Sequence, residues 1–234
     1  MNFDLSPEQR ELVEKARAFT KEWIAPNAIE HDRSGEFPLE ICREAFKQGF
    51  MNPHVPEEYG GTPHRVLDHC LVLEEMCTGC SGIATAIDAN GLSQYPVILA
   101  GTDDQKRRFL APMTEELMFS AYAVTEPEAG SDVSRVKTSA EKVGEDYVLN
   151  GVKWWITNGS VASWYFVLAR VEDKATGFIV PADSPGVVRG PKEINIGQHA
   201  SNTVRVTFED VKVEARNRLG GEGDGFQIAM KTFD

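Results

Sequence analysis

No stretch of this 234-residue sequence comes near the ~20 consecutive apolar residues that a bilayer-spanning helix needs. The start, Met1-Asn2-Phe3-Asp4-Leu5-Ser6-Pro7-Glu8, is acidic with no apolar core behind it, so no signal peptide is expected. Cysteine is scarce. Cys42, Cys70, Cys77 and Cys80 all fall in the first third and are too few to staple a chain this long, so reduced thiols in a cytosolic or matrix-like compartment are expected. Basic residues are in deficit, 24 against 36 acidic, for a formal charge of -12. That field repels nucleic-acid backbones and anionic membranes, and no basic block opposes it. A small ligand bearing phosphate would need local donors or fixed dipoles. The composition, 41% hydrophobic and 26% charged, excludes disorder, and the length suggests two domains.

Two periodicities divide the chain. From residue 6 to about 112 the apolar pattern is helical, starting with Leu12, Val13, Ala16, Phe19 and Trp23 on one face. Ser6 and Gln9 have capping-box spacing around Pro7, and Pro26 marks the expected exit. Further helices fit residues 38–48, 83–89, 93–100 and 103–111, with Val66 to Met76 resuming the period after a loop at 52–61. Past Pro112 the period becomes two. Strands are expected at 119–125, 138–142, 147–149, 152–157, 164–171, 177–181 and 204–213, with Asn150-Gly151 as a hairpin turn.

Helices first and strands second predict an α+β chain: an N-terminal all-α domain at 1–116, then a β-barrel-like domain at 117–222. Gly220-Gly221-Glu222-Gly223-Asp224-Gly225 lacks the spacing of a dinucleotide-binding turn, so a Rossmann reading fails. After it, Phe226, Ala229, Met230 and Phe233 begin an amphipathic helix at 223–234 that has no stop signal, as expected of the truncated start of a C-terminal domain. So short a helix must dock on the body, pair with another chain or fray.

Two segments could carry chemistry. Tyr122-Ala123-Val124-Thr125-Glu126-Pro127-Glu128-Ala129-Gly130-Ser131-Asp132 runs from a strand into a hydroxyl-rich turn whose donors could meet a phosphate or a heteroaromatic edge, or simply cap the loop. In Lys153-Trp154-Trp155-Ile156-Thr157-Asn158-Gly159, strand alternation puts Trp155 and Thr157 on one face and Trp154 and Ile156 on the other. One face could cover a planar cofactor, or the aromatics could be core.

These segments, with Asn150-Gly151 and Phe208-Glu209-Asp210-Val211, closely resemble the acyl-CoA dehydrogenase family, particularly its medium-chain branch, and the resemblance runs from Ser6 to Asp234. It implies FAD held between the β-domain and a C-terminal helical bundle. It implies that Tyr122, Val124 and Thr125 line the flavin ring, that Ser131 hydrogen-bonds its phosphate region, that Trp155 covers a flavin face, that Thr157 places its hydroxyl near N5, and that Gly130 and Ile156 belong to the same cofactor site. Ser131 would also lie on the acyl-CoA path, Asp234 would begin an element that meets coenzyme A, and 91–96 would wall the acyl cavity. The reaction implied is FAD-dependent α,β-dehydrogenation of acyl-CoA thioesters, of the fatty acid β-oxidation type. Its proton-abstracting Glu is expected in the C-terminal domain, so no catalytic residue is assigned here. An electron-transfer flavoprotein as acceptor and a homotetramer are implied too, in the mitochondrial matrix of a eukaryote or the cytoplasm of a bacterium. The alternative is a non-catalytic flavin-fold subunit that needs a partner chain.

One departure from the family pattern is Glu128, where relatives usually have a small or neutral residue; its charge should weaken FAD binding. No metal centre is expected. Cys77-Thr78-Gly79-Cys80 is a lone pair without a matched second pair, and His31, His54 and His199 suggest surface or packing roles.

Overall fold

The computed structural model describes residues 4–233. They form two compact units. The first comprises residues up to His54, Thr62–Asp88 and Ile194–Ser201; the second comprises Val55–Gly61, Ala89–Glu193 and the chain from Asn202 onward.

The first unit is helical: α1 (Pro7–Phe19), α2 (Ala28–Ser34), α3 (Leu39–Lys47), α4 (Val66–Gly79) and α5 (Ser81–Asp88). At the start of α1 both capping-box bonds form, Gln9 N–H to Ser6 Oγ at 3.2 Å and Ser6 N–H to Gln9 Oε1 at 3.0 Å. Val13, Ala16 and Phe19 bury its apolar face. Pro26 does not end the helical run. A π turn at Thr20–Ile24 and a 3-10 turn at Ala25–Asn27 carry the chain into α2, and Pro26 sits in the first turn of the new segment, where its missing N–H breaks no bond. The run stops at Gly35, whose φ of 67° is the left-handed conformation that a helix end favours.

The second unit places α6 (Asn90–Ala100), α7 (Asp103–Phe109) and α8 (Pro112–Glu115) beside an eight-stranded sheet. Its strands are β1 (Ser120–Ala123), β2 (Ser139–Val143), β3 (Asp146–Thr157), β4 (Trp164–Val171), β5 (Lys174–Pro181), β6 (Val187–Lys192), β7 (Thr203–Val213) and β8 (Arg218–Leu219). They run in the order β6-β7-β3-β2-β4-β5-β8, and β1 adds to β4 in parallel. Rings from non-adjacent strands meet, Tyr147 with Phe178 at 5.0 Å and Tyr165 with Phe208 at 6.2 Å, so the sheet curls around its own core.

β4 is buried on both faces. Tyr165, Val167 and Ala169 enter the core inside the curl. Trp164, Phe166 and Leu168 enter a second core shared with Val97, Phe109, Leu110 and Met113 of the helices. An uninterrupted apolar run is the sequence mark of such a strand, and each large side chain so buried stabilises by roughly 1.5–3 kcal/mol.

The expected hairpin at Asn150-Gly151 is absent, and β3 runs straight through it. The two-residue turn is Gly144-Glu145, closed by the Val143↔Asp146 pair, with Gly144 at φ 66°. Asn150-Gly151 instead forms an irregularity against β7, whose register shifts between Leu149 and Gly151. Asn150 exchanges two bonds with Asp210, Nδ2 to Oδ1 at 3.0 Å and Asp210 N–H to Asn150 Oδ1 at 2.9 Å. A Cβ on Gly151 would lie 2.5 Å from Thr138 Oγ1, so glycine serves close approach here and not a turn. β6 was not expected from sequence: its half-exposed pattern and its Gly190-Pro191 step hide the alternation.

The last element, α9 (Gly225–Lys231), docks on its own unit by burying Ile228 and Ala229. Its first residue packs against backbone: a Cβ on Gly225 would stand 2.5 Å from Thr176 C and 2.6 Å from Gly177 N of β5.

Candidate active site

β1 delivers Tyr122 and then Val124 and Thr125 to the rim of the sheet. There Glu126 turns the chain, exchanging backbone bonds with Ala129 at 2.9 and 3.1 Å. The Glu126 side chain folds inward. Its carboxylate accepts from Lys137 N–H at 2.6 Å, Thr138 N–H at 2.9 Å, Thr138 Oγ1–H at 2.5 Å and Lys153 Nζ at 2.7 Å. Burial pushes this carboxyl up, but Lys153 and the other donors outweigh it and hold it below the usual carboxylate range. The Lys153 ammonium also donates to the carbonyls of Val124 at 3.1 Å and Leu168 at 2.6 Å. One buried ion pair therefore ties the turn after β1 to β2, β3 and β4.

That turn opens onto a cavity of about 280 Å³ lined by Tyr122, Val124, Thr125, Gly130, Ser131 and Val133, together with Met230 and Phe233. Five of the eight residues expected to bind cofactor are thus brought together. Tyr122 is pinned: its hydroxyl donates to the Ala229 carbonyl at 3.0 Å, its ring stacks on Phe166 at 5.2 Å, and burial raises its phenol. Gly130 and Ser131 are exposed, so the Ser131 hydroxyl is accessible at the rim.

The other three are not among the residues that line this cavity. Ile156 is 1% exposed, its side chain in the core within the curl, and Thr157 pairs with Thr203 of β7. Trp155 is 53% exposed. The expectation that Trp154 faces away from Trp155 with Ile156 is overturned by a bulge: between Lys153↔Val206 and Ile156↔Val204, β3 holds one residue more than β7, and Trp155 takes φ 59°. Lys153 and Ile156 both point inward, whereas the two indoles stack at 5.9 Å, 22° apart. Trp154 N–H donates to the Thr125 carbonyl at 2.9 Å and its Nε1 to Glu193 Oε1 at 2.7 Å, so the bulge is bonded directly to the turn after β1.

Glu128 is exposed and paired with Lys137, which offsets the charge expected to oppose a pyrophosphate. Along 91–96, Gly91, Ser93, Gln94 and Pro96 are buried, and Ser93 Oγ donates to Ser120 Oγ at 2.6 Å. Asp234 lies outside the described residues. Cys77 and Cys80 are unbridged. Sequence reasoning missed Lys153 as the residue that holds the turn; a lone Lys between apolar strand positions was the available signal.

Two family descriptions match the chain: acyl-CoA dehydrogenase, N-terminal domain, over residues 6–116, and acyl-CoA dehydrogenase, middle domain, over residues 121–211. The chain belongs to the acyl-CoA dehydrogenase family. It is 45% identical to a probable medium-chain specific acyl-CoA dehydrogenase of Caenorhabditis briggsae, named as mitochondrial, over 100% of this chain and 59% of that protein. Butyryl-CoA dehydrogenase from Megasphaera elsdenii superposes with a TM-score of 0.93 at 37% identity, covering 99% of this chain and 63% of that one. An acyl-CoA dehydrogenase from Bacillus anthracis, solved in complex with FAD, superposes with a TM-score of 0.88 at 33% identity, covering 98% and 40%. The chain spans about six tenths of the length of the curated relatives it matches. Among the described residues no helix is long and apolar enough to cross a membrane.

Proposed function

We propose that this acyl-CoA dehydrogenase chain forms part of an FAD-dependent enzyme that removes hydrogen from the α and β carbons of an acyl-CoA thioester, as in fatty acid β-oxidation. The observation that carries the reading is the cavity where Tyr122, Val124, Thr125, Gly130 and Ser131 converge behind the buried Glu126–Lys153 pair. The residues present suit a flavin. Hydroxyls of Thr125 and Ser131 border the cavity, an exposed indole stands at Trp155, and the FAD complex of the Bacillus anthracis relative supports the same cofactor.

When bound, FAD supplies the hydride acceptor. The chain's own part is to bind and orient. Thr125 and Ser131 would hydrogen-bond the cofactor, and Tyr122 and Val124 would form an apolar wall against its ring system. Trp155 would cover a ring face from the bulge, with Thr157 near the reacting edge. The α proton is weakly acidic, so its removal needs a carboxylate placed where fixed donors meet the developing enolate charge. Glu126 does not suit that role, because its oxygens accept four bonds inside the protein. Glu128 pairs with Lys137. The family resemblance implies a base from a C-terminal helical domain, with electrons passed on to an electron-transfer flavoprotein. The Caenorhabditis briggsae relative supports a mitochondrial setting for a eukaryotic source.

Titrating the chain with FAD and following quenching of flavin fluorescence tests the site. Saturable binding that weakens in Thr125→Val and Ser131→Ala is expected, and a chain that takes up no flavin sinks the reading. Bleaching of the flavin absorbance by a straight-chain acyl-CoA under anaerobic conditions reads the reaction itself.

A further inference from the structure

The helical unit holds a cluster that the proposed dehydrogenation does not use. His54, on the loop after α3, His69 on α4 and Asp88, the last residue of α5, each present a ligand-type atom, and the three atoms lie within 4.8 Å of one another. Three segments well separated in sequence therefore bring two imidazoles and one carboxylate to one half-buried point.

His69 Nε2 comes to 2.8 Å from Asp88 Oδ1, yet that oxygen makes no aligned hydrogen bond. The His54 and His69 rings meet edge-on, with centroids 4.6 Å apart. Of the six buried side-chain polar atoms without a hydrogen-bond partner among the described residues, three are His69 Nδ1, Asp88 Oδ1 and His64 Nδ1, all on or beside this cluster. Buried polar atoms rarely stay unsatisfied, so a concentration of them points to a missing partner.

We propose that His54, His69 and Asp88 form a binding site for a first-row divalent cation of the zinc type, with a fourth position open to water. Two imidazoles and a carboxylate suit such an ion, whereas magnesium and calcium take oxygen ligands. Tetrahedral zinc, with bonds of about 2.0–2.2 Å, holds its ligands about 3.3–3.6 Å apart, so small side-chain rotations would close the site. The ion would clamp the loop after α3 to the ends of α4 and α5, a structural role separate from the flavin cavity.

The test is titration of the folded chain with Zn²⁺ against a chromophoric chelator, and with Co²⁺ as a visible probe. One equivalent should bind, undisturbed by excess Mg²⁺. Affinity should fall at least about tenfold in His54→Gln, His69→Gln and Asp88→Asn. It should hold in His31→Gln and in the double variant Cys77→Ser/Cys80→Ser, and circular dichroism should report each variant folded. Should the histidine variants not fold, the Co²⁺ spectrum of the unaltered chain decides: nitrogen and oxygen ligation alone supports the site, and a thiolate charge-transfer band overturns it. Failure to bind Zn²⁺, or binding that survives His69→Gln and is lost with the two thiols, also overturns it.

Discussion

The Lys153 ammonium lies 2.7 Å from a Glu126 carboxylate oxygen, with the two side chains 0% and 5% exposed. A buried pair of this kind contributes little net stability compared with an apolar pair, but removing one partner leaves a charge stranded. Here the pair holds the turn that presents Val124 and Thr125 to the cavity. Lys153→Met should cost about 3–5 kcal/mol in urea unfolding and weaken FAD uptake, and partial recovery in Lys153→Met/Glu126→Gln, which removes the charge and keeps an acceptor for Thr138, would identify the stranded carboxylate as the cause. A loss under 1 kcal/mol in the single variant would show the pair to be dispensable.

The same carboxylate sets an acid limit. Its folded-state titration lies below the ordinary value of 4.5, so its stabilisation is fully present above about pH 4.5 and is lost as pH falls through the lower folded value. Urea midpoints measured from pH 6 downward should therefore fall more steeply in the parent chain than in Lys153→Met/Glu126→Gln. Parallel curves would remove Glu126 from the account.

Trp155 combines a left-handed φ of 59° with 53% exposure. A bulky residue there carries strain of about 1–3 kcal/mol, and little burial offsets it. Trp155→Gly is expected to leave thermal stability unchanged or raise it while lowering flavin affinity. A variant that binds FAD as the parent does would take the indole out of the cofactor site.

Gly225 begins α9 where a Cβ would press on the Thr176 and Gly177 backbone. Gly225→Ala should cost about 1–3 kcal/mol and displace the helix that brings Met230 and Phe233 to the cavity. Hydrogen exchange across residues 225–231 is the readout, and unchanged protection there would contradict the packing.

Much of the fold was legible because its signals are local. The Ser6–Gln9 capping box formed as spaced, and the run at 164–171 became a strand with the same ends. Pro26 and Asn150-Gly151 misled for one reason: each residue type permits more than one backbone solution, and neighbours chose. Pro26 fits the first turn of a new segment as readily as an exit, and Gly151 answers Thr138 from an adjacent strand.

The site divides the same way. Tyr122, Val124, Thr125, Gly130 and Ser131 sit close together along the chain, so their convergence follows from one strand and one turn. Trp155 lost its expected alternation to a single extra residue opposite β7, which no count along β3 could reveal. The amino-acid order alone determined helices followed by strands, the family and the hydroxyl-rich turn, because periodicity, caps and motifs are properties of near neighbours. Only the tertiary structure decided that Glu126 is held by Lys153, that α9 supplies a wall of the cavity, and that His54 meets His69 and Asp88, because burial and ion pairing depend on atoms that packing alone brings together.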